Sequence, residues 1–335
     1  VQRPIDQPPP RRDLATRIAP SLTGSLHLGH ARTFLLTSAL ARHEGWRVLL
    51  RLEDLDLGRL REDLAEETLS VLSWLGVDWD GPVQVQSRTP GRFREAMEQL
   101  AARGWVFSSP LTRREIREAA SAPHAPGGSG AELRFDASLR PPAGDRWRFV
   151  DPAASYRFRT DPGIVEFNDE LAGPQRFDPS LDCGDFAVWT REGVPAYQLA
   201  VVVDDALAGV SEVVRGDDLL ASTSRQILLQ QALGLPKPRW WHLPLVGDAA
   251  GHRLAKRDGS LSIAALRERG IPAAAIRGLV AWWCRWIPEP APVDGAFLRA
   301  MATAGNLRAL VLRERDAESR PRLDAEALRF LESSA

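Results

Sequence analysis

Hydrophobic positions in the first third of the chain switch between two periods. Thr16 to Ala19 reads as a short strand, and Leu28 to Glu44 then carries apolar residues at helical spacing. Arg47-Val-Leu-Leu-Arg-Leu52 is a compact run suited to a buried strand, ending in Glu53-Asp54-Leu55-Asp56. Asp63 to Leu75 and Gly91 to Arg103 return to helical spacing. This β-α-β-α alternation predicts an α/β fold with a doubly wound parallel sheet, right-handed crossovers and a ligand site at the carboxyl ends of strands. From Gly104 to Cys183 the pattern changes. Ala122-Pro-His-Ala-Pro-Gly-Gly-Ser-Gly130 and Leu139-Arg-Pro-Pro-Ala-Gly144 separate short strand-like pieces, which reads as an insertion. The continuous apolar run Tyr197-Gln-Leu-Ala-Val-Val-Val203 predicts a central parallel strand, with Ser211 to Val214 as another and Asp218 to Leu233 as a helix. Leu243-Pro-Leu-Val246 leads into a glycine-rich, cationic loop, and from Ile263 onward the pattern is helical with breaks near Pro272 and Pro288.

The expected organisation is a flexible arm over 1–12, the first half of the sheet domain over 13–103, an insertion over 104–185, its second half over 186–262 and a helical region over 263–335. With 335 residues, two sizeable cores are possible. Apolar residues make up 44% and charged residues 26%, with a formal net charge of −1, so any nucleic-acid partner must be met by a local patch. Cys183 and Cys284 are the only cysteines, which excludes a disulfide framework and suits a reducing cytoplasm. Val1 to Arg12 is proline-rich with no apolar leader segment, and the apolar stretch Gly278 to Ile287 is short and contains Arg285, so no membrane partner is expected.

The densest chemistry lies in Arg17-Ile-Ala-Pro-Ser-Leu-Thr-Gly-Ser-Leu-His27-Leu-Gly29-His30, where an extended segment meets an amphipathic helix. Histidines three apart share a helix face, and the glycine between them admits a ligand or backbone closely. The N–H groups of a helix start add a phosphate site. An isolated pair of this kind is more often a capped helix start with two partly exposed histidines. A second signal is Gly251-His-Arg253-Leu-Ala255-Lys256-Arg257-Asp-Gly259, a cationic loop beyond a strand, able to close on a polyphosphate; alone it would pass as a solvated turn.

Together these segments resemble the class I aminoacyl-tRNA synthetases, whose "HIGH" signature matches His27 to His30, and in particular their glutamyl branch. The loop looks like that family's "KMSKS" loop, with Lys256 as its second lysine, Arg253 in place of the first and Ala255 in place of a serine. The resemblance implies a Rossmann-like catalytic domain with ATP and Mg²⁺ as cofactors. It implies catalytic roles for His27, His30 and Lys256, and ATP contacts from His27, Gly29, His30, Arg253, Lys256 and Arg257. By the same resemblance Arg17, Ser21, Glu53, Tyr197 and Arg215 match glutamate-contacting positions. The set suits a zwitterion with two carboxylates: two guanidinium forks, one carboxylate for the ammonium and a hydroxyl. Leu22 stands where the family usually has proline.

Leu50-Arg-Leu-Glu-Asp-Leu-Asp56, Tyr197 to Asp205 and Val214-Arg-Gly-Asp-Asp-Leu-Leu-Ala-Ser-Thr-Ser-Arg-Gln226 resemble the glutamyl-queuosine tRNA(Asp) synthetases more than glutamyl-tRNA synthetases proper. The stretch after Lys256 ends at residue 335, short for an anticodon-binding region. The implied activity is tRNA-independent formation of glutamyl-adenylate, then transfer of glutamate to queuosine at the wobble position of tRNA(Asp). The implied partners are L-glutamate and queuosine-bearing tRNA(Asp), and the expected state is a cytoplasmic monomer. Ser109 and Leu111 occupy the positions of a Cys-x-Cys that often holds structural zinc in the family, so zinc is expected to be absent. Three alternatives stay open: the same adenylation with another acceptor (tRNA(Glu), a carrier or a small molecule), a non-catalytic RNA-binding paralogue, and a plain nucleotidyltransferase.

Overall fold

A computed structural model describes residues 14–55, 63–111, 115–116, 134–142, 144–249, 254 and 262–335. Strands β1 (Ala15–Ile18), β2 (Arg47–Leu52) and β3 (Gln84–Val85) pair in parallel, β2 central. A second sheet runs in the order β7 (Gly173–Phe177), β6 (Val165–Asp169), β10 (Arg239–Leu243), β9 (Glu212–Gly216), with only the β6–β7 pair antiparallel. The two halves meet at β1 and β9, where the Ser211 N–H donates to the Ala15 carbonyl at 2.9 Å and Ser211 Oγ accepts from the Ala15 N–H at 3.0 Å. The chain winds outward in both directions from this seam. In an open α/β sheet such a reversal point leaves a crevice at the strand carboxyl ends.

Helix α1 (Leu28–Glu44) fills one face of the sheet because Leu28, Ala31, Leu35, Leu36, Ala39 and Leu40 recur on one side and are buried. It stops at Gly45, whose φ of 75° suits glycine. Helices α2 (Leu64–Leu75) and α3 (Gly91–Ala102) follow close to their expected bounds. The run beginning at Tyr197 corrects the expectation: it is a helix, α4 (Tyr197–Leu207), and not a strand. Gln198 to Asp205 are all buried. Leu199 to Val203 pack among Phe93 and Met97 of α3, Trp189 and Leu229. A helix covered on every side shows no amphipathic period, so its sequence reads like a central strand. Residues 217–219 form a single 3₁₀ turn ahead of α5 (Ser222–Leu233), which shortens the helix expected from Asp218.

The segment expected as one insertion contributes to two sheets. Strands β4 (Val106–Ser108), β5 (Tyr156–Phe158) and β8 (Phe186–Trp189) form an antiparallel sheet of their own, whereas the β6–β7 hairpin joins β10 of the main sheet. Ser109 is buried, and Leu111 packs beside a cluster of Phe107, Ile116 and Phe135. A hydroxyl and an isobutyl group do not fit zinc. Among the described residues no group of three His, Cys, Asp or Glu side chains gathers as a metal site.

The C-terminal helices α6 (Ile263–Glu268), α7 (Ala273–Trp283), α8 (Gly295–Met301), α9 (Ala304–Arg313) and α10 (Ala325–Ser333) share the core of α1 and the sheet. Their connections return to the crevice. The Gly247 N–H donates to the Pro321 carbonyl and the Leu323 N–H to the Gly247 carbonyl, both at 2.9 Å, and Arg320 pairs with Asp217 at 2.6 Å. No helix among the described residues is long and apolar enough to cross a membrane.

Candidate active site

The histidine turn is built by its own side chains. His27 caps α1 in an extended conformation (φ −115°, ψ 172°). Its Nδ1 accepts from the Gly29 N–H at 3.1 Å, while His30 Nδ1 accepts from the His27 N–H at 3.3 Å, forming a reciprocal capping box. Two of the N–H groups expected to face a phosphate are therefore taken by imidazoles. The same bonds put the proton of each neutral ring on Nε2, a donor on the far side of the ring. The rings stack 3.7 Å apart at 23°. A Cβ on Gly29 would sit 3.0 Å from His27 Cε1, so any larger residue would press on this ring.

Leu254 of the cationic loop and the residues just after that loop frame the turn. The Ile263 N–H donates to the Leu26 carbonyl at 2.7 Å, and His27 and Ser262 form an antiparallel bridge. Leu254 Cδ1 lies 3.9 Å from where that added Cβ would stand. Arg253, Lys256 and Arg257 fall outside the described residues.

Across the crevice, Arg17 and Arg51 converge on Asp205 near the end of α4. Arg17 Nε donates to both oxygens of Asp205 at 3.3 and 3.1 Å, and Arg51 Nη1 donates to Oδ1 at 2.6 Å. Burial alone would raise the Asp205 pKa, but Arg17 and Arg51 outweigh it and hold the carboxyl below its usual range. Arg51 Nη2 also reaches Glu53 Oε1 at 3.2 Å. For Glu53 burial wins over Arg51 and Arg17, and its pKa rises, so an added cation beside it would be favoured. Ser21 and Glu53 sit side by side as parallel bridge partners just beyond β1 and β2.

Arg215, on β9, is 5% exposed and is surrounded by neutral acceptors. Its Nε donates to His242 Nε2 at 3.0 Å, Nη1 to Gln226 Oε1 at 2.9 Å, and Nη2 to Thr223 Oγ1 at 2.8 Å and the Leu219 carbonyl at 3.3 Å. Its guanidinium carbon stands 4.9 Å from the centre of the Trp240 ring. Among the described residues no carboxylate lies within ion-pair distance of it. Burial lowers its pKa, the largest effect, and nearby Arg17 lowers it further against Tyr197 and Asp205. Tyr197, the first residue of α4, is 38% exposed by area but enclosed by the crevice walls, which push its phenol up.

Arg17, Ser21, His27, Gly29, His30, Glu53, Tyr197 and Arg215, every expected site residue within the described chain, line one cavity of about 430 Å³. A depression of about 540 Å³ among Leu75, Gly76, Arg277 and Leu298 holds none of them. Sequence reading missed the supporting groups: the acceptors Asp205, Asp169, His242 and Gln226, and the donor Arg51. The available signal was an Asp204-Asp205 pair ending an apolar run, which the strand assignment obscured.

The model of the family "tRNA synthetases class I (E and Q), catalytic domain" matches residues 13–284. A glutamyl-Q tRNA(Asp) synthetase of Nitratidesulfovibrio vulgaris is 44% identical over 299 residues, covering 86% of this chain and 92% of that protein. One from Symbiobacterium thermophilum is 42% identical over 289 residues, covering 84% and 89%. In three dimensions, the glutamate-tRNA synthetase of Elizabethkingia anophelis superposes with a TM-score of 0.71 at 24% identity, covering 95% of this chain and 69% of that one, which is a likeness of fold. The split parallel sheet, the histidine turn at its seam and the match across most of the chain lead to one assignment: this chain belongs to the class I tRNA synthetases of the glutamate and glutamine (E and Q) family, a family of ligases.

Proposed function

We propose that the crevice activates L-glutamate with ATP and passes it to queuosine at the wobble position of tRNA(Asp). One observation carries the glutamate reading. Arg215 is a buried guanidinium that meets only neutral acceptors among the described residues, in the same cavity as the histidine turn. An uncompensated buried cation is costly, and a substrate carboxylate would relieve that cost. Arg17 serves the second carboxylate of glutamate, Glu53 the ammonium, and Ser21 and Tyr197 the polar edge between them. The acceptor reading is supported by relatives that carry this name at 40–45% identity.

The first step needs no protein nucleophile. A glutamate carboxylate oxygen bonds to the α-phosphorus, the bond from that phosphorus to the β-bridging oxygen breaks, and pyrophosphate leaves with the electron pair. His27 and His30 donate from Nε2 to phosphate oxygens as charge builds. Lys256, Arg253 and Arg257 serve the departing pyrophosphate, and Mg²⁺ bound with ATP would supply further neutralisation of phosphate charge. A queuosine hydroxyl then attacks the acyl carbon and AMP leaves. Two buried thiols, Cys183 and Cys284, suit a cytoplasmic enzyme, and we take it to act as a monomer.

The test supplies labelled glutamate, ATP and Mg²⁺ with tRNA(Asp) bearing or lacking queuosine, and with tRNA(Glu). Label on queuosine-bearing tRNA(Asp) alone is the expected result; label on tRNA(Glu) overturns the acceptor. Lys256→Ala is expected to slow glutamate-dependent ATP–pyrophosphate exchange about 100-fold. An undiminished rate would remove Lys256 from the site.

A further inference from the structure

Arg215 is aimed by two buried groups that the reaction does not consume. His242 lies directly opposite Arg215 in the parallel β9–β10 register, and Asp169 ends β6 on the other side of β10. Arginine only donates, so the 3.0 Å contact from Arg215 Nε requires a lone pair on His242 Nε2. The proton of the neutral ring then sits on Nδ1 and is given to Asp169 Oδ2 at 2.6 Å. Both side chains are completely buried. Asp169 is fixed in turn, its Oδ1 accepting from the N–H groups of Leu171 and Ala172 at 3.0 and 2.8 Å.

We propose that Asp169 and His242 are a positioning pair that holds Arg215 by a neutral acceptor and thereby keeps its full charge for the substrate carboxylate. A carboxylate in place of the imidazole would neutralise the guanidinium and compete with glutamate. A hydrocarbon would leave Nε without an acceptor and the guanidinium without a fixed direction. The groups facing the ring are Asp169, Arg215, Thr223 Oγ1 at 3.4 Å and the Trp240 ring, with Arg17 adding its field. Burial, with Arg215 and Arg17 on its side and Asp169 opposed, holds the His242 pKa at about 4, so the acceptor persists at neutral pH. The inference rests on the glutamate reading of the crevice.

Glutamate-dependent ATP–pyrophosphate exchange by the full chain tests it. In His242→Gln the side-chain oxygen can take the place of Nε2. In His242→Asn the amide nitrogen can take the place of Nδ1, keeping the bond to Asp169 but giving Arg215 Nε no acceptor. The expected result is a KM for glutamate raised about 10- to 100-fold in His242→Asn, an unchanged KM for ATP, and near-complete rescue in His242→Gln. A folded His242→Asn with wild-type KM for glutamate, or equal rises for both substrates, overturns the pairing. Should His242→Asn not fold, Asp169→Asn decides. Its amide lets the ring proton move to Nε2, so a glutamate-only rise of about tenfold supports the pair and no change overturns it. Wild-type protein without glutamate-dependent exchange overturns the parent reading instead, and this one with it.

Discussion

Two buried arginines in this molecule are treated in opposite ways. Arg32, on α1 two residues past His30, is 1% exposed and donates to both oxygens of Glu314 at 3.0 and 2.9 Å, and also to the Pro244 carbonyl. Burial lowers its pKa, but Glu314 and Cys284 more than compensate and the net direction is up. Arg215 is 5% exposed, meets only neutral groups among the described residues, and its pKa goes down. Burial costs the two guanidiniums comparably; only Arg32 has that cost offset within the fold. Arg32 ties α1 to the C-terminal helices, whereas the counter-charge we propose for Arg215 is a substrate carboxylate. Where a local rule of charge balance is broken in a buried site, the break marks function.

The comparison can be broken most forcefully at Glu314. Glu314→Ala leaves Arg32 buried and uncompensated, and should cost about 3–5 kcal/mol in urea denaturation. A loss below 1 kcal/mol would make Arg32 no better compensated than Arg215. A smaller effect concerns pH. His242 has a pKa of about 4 in the fold against 6.5 ordinarily, so below 6.5 the unfolded chain takes up a proton that the folded chain refuses. Its contribution is intact above pH 6.5 and is lost as pH falls from 6.5 to 4, by at most roughly 3 kcal/mol. Urea midpoints across that window should fall more steeply for wild type than for His242→Gln, and parallel slopes would contradict the assignment.

At Arg215 the roles reverse. Arg215→Met removes a costly charge, so stability should stay within about 1 kcal/mol of wild type while kcat/KM for glutamate drops about 10- to 100-fold. Denaturation and exchange kinetics on one preparation check both halves. The mildest change sharpens the contrast further. Gln226→Glu places a carboxylate on Arg215 Nη1 and makes this arginine resemble Arg32. Stability should hold or rise by about 1 kcal/mol, and the KM for glutamate should rise about tenfold. An unchanged KM would mean that the charge of Arg215 is not used by substrate.

Local elements were legible where polar residues interrupt or bound the apolar ones. Helix α1 declares itself by its apolar spacing and its glycine stop, and β2 by a short apolar run between polar ends. Helix α4 did not, since it is enclosed by α3, α5 and β8 and every position from Leu199 to Val203 is apolar. The error had a consequence for the site. On a helix Asp205 lies eight residues and about two turns beyond Tyr197, on the same broad face, which sets it against Arg17 behind the crevice that Tyr197 lines. A strand would have placed the chain's key carboxylate far beyond the tyrosine. The β6–β7 hairpin was missed for a related reason: its link to the main sheet is a pairing with β10, distant in sequence.

Residue chemistry and local geometry were set by the sequence alone. Capping and spacing act over a few residues and marked the histidine turn as a candidate phosphate site, whereas Arg17, Ser21, Glu53, Tyr197 and Arg215 were singled out by the resemblance to the glutamyl synthetases. Tertiary structure decided which charges are balanced. Arg17 finds Asp205 across 188 positions, Arg32 finds Glu314 across 282, and His242 finds Asp169 across 73. Coulomb and desolvation energies depend on distance through space and on burial. Neither has a period along the chain, so only the folded molecule could separate the arginine paired with a carboxylate from the one held by neutral acceptors.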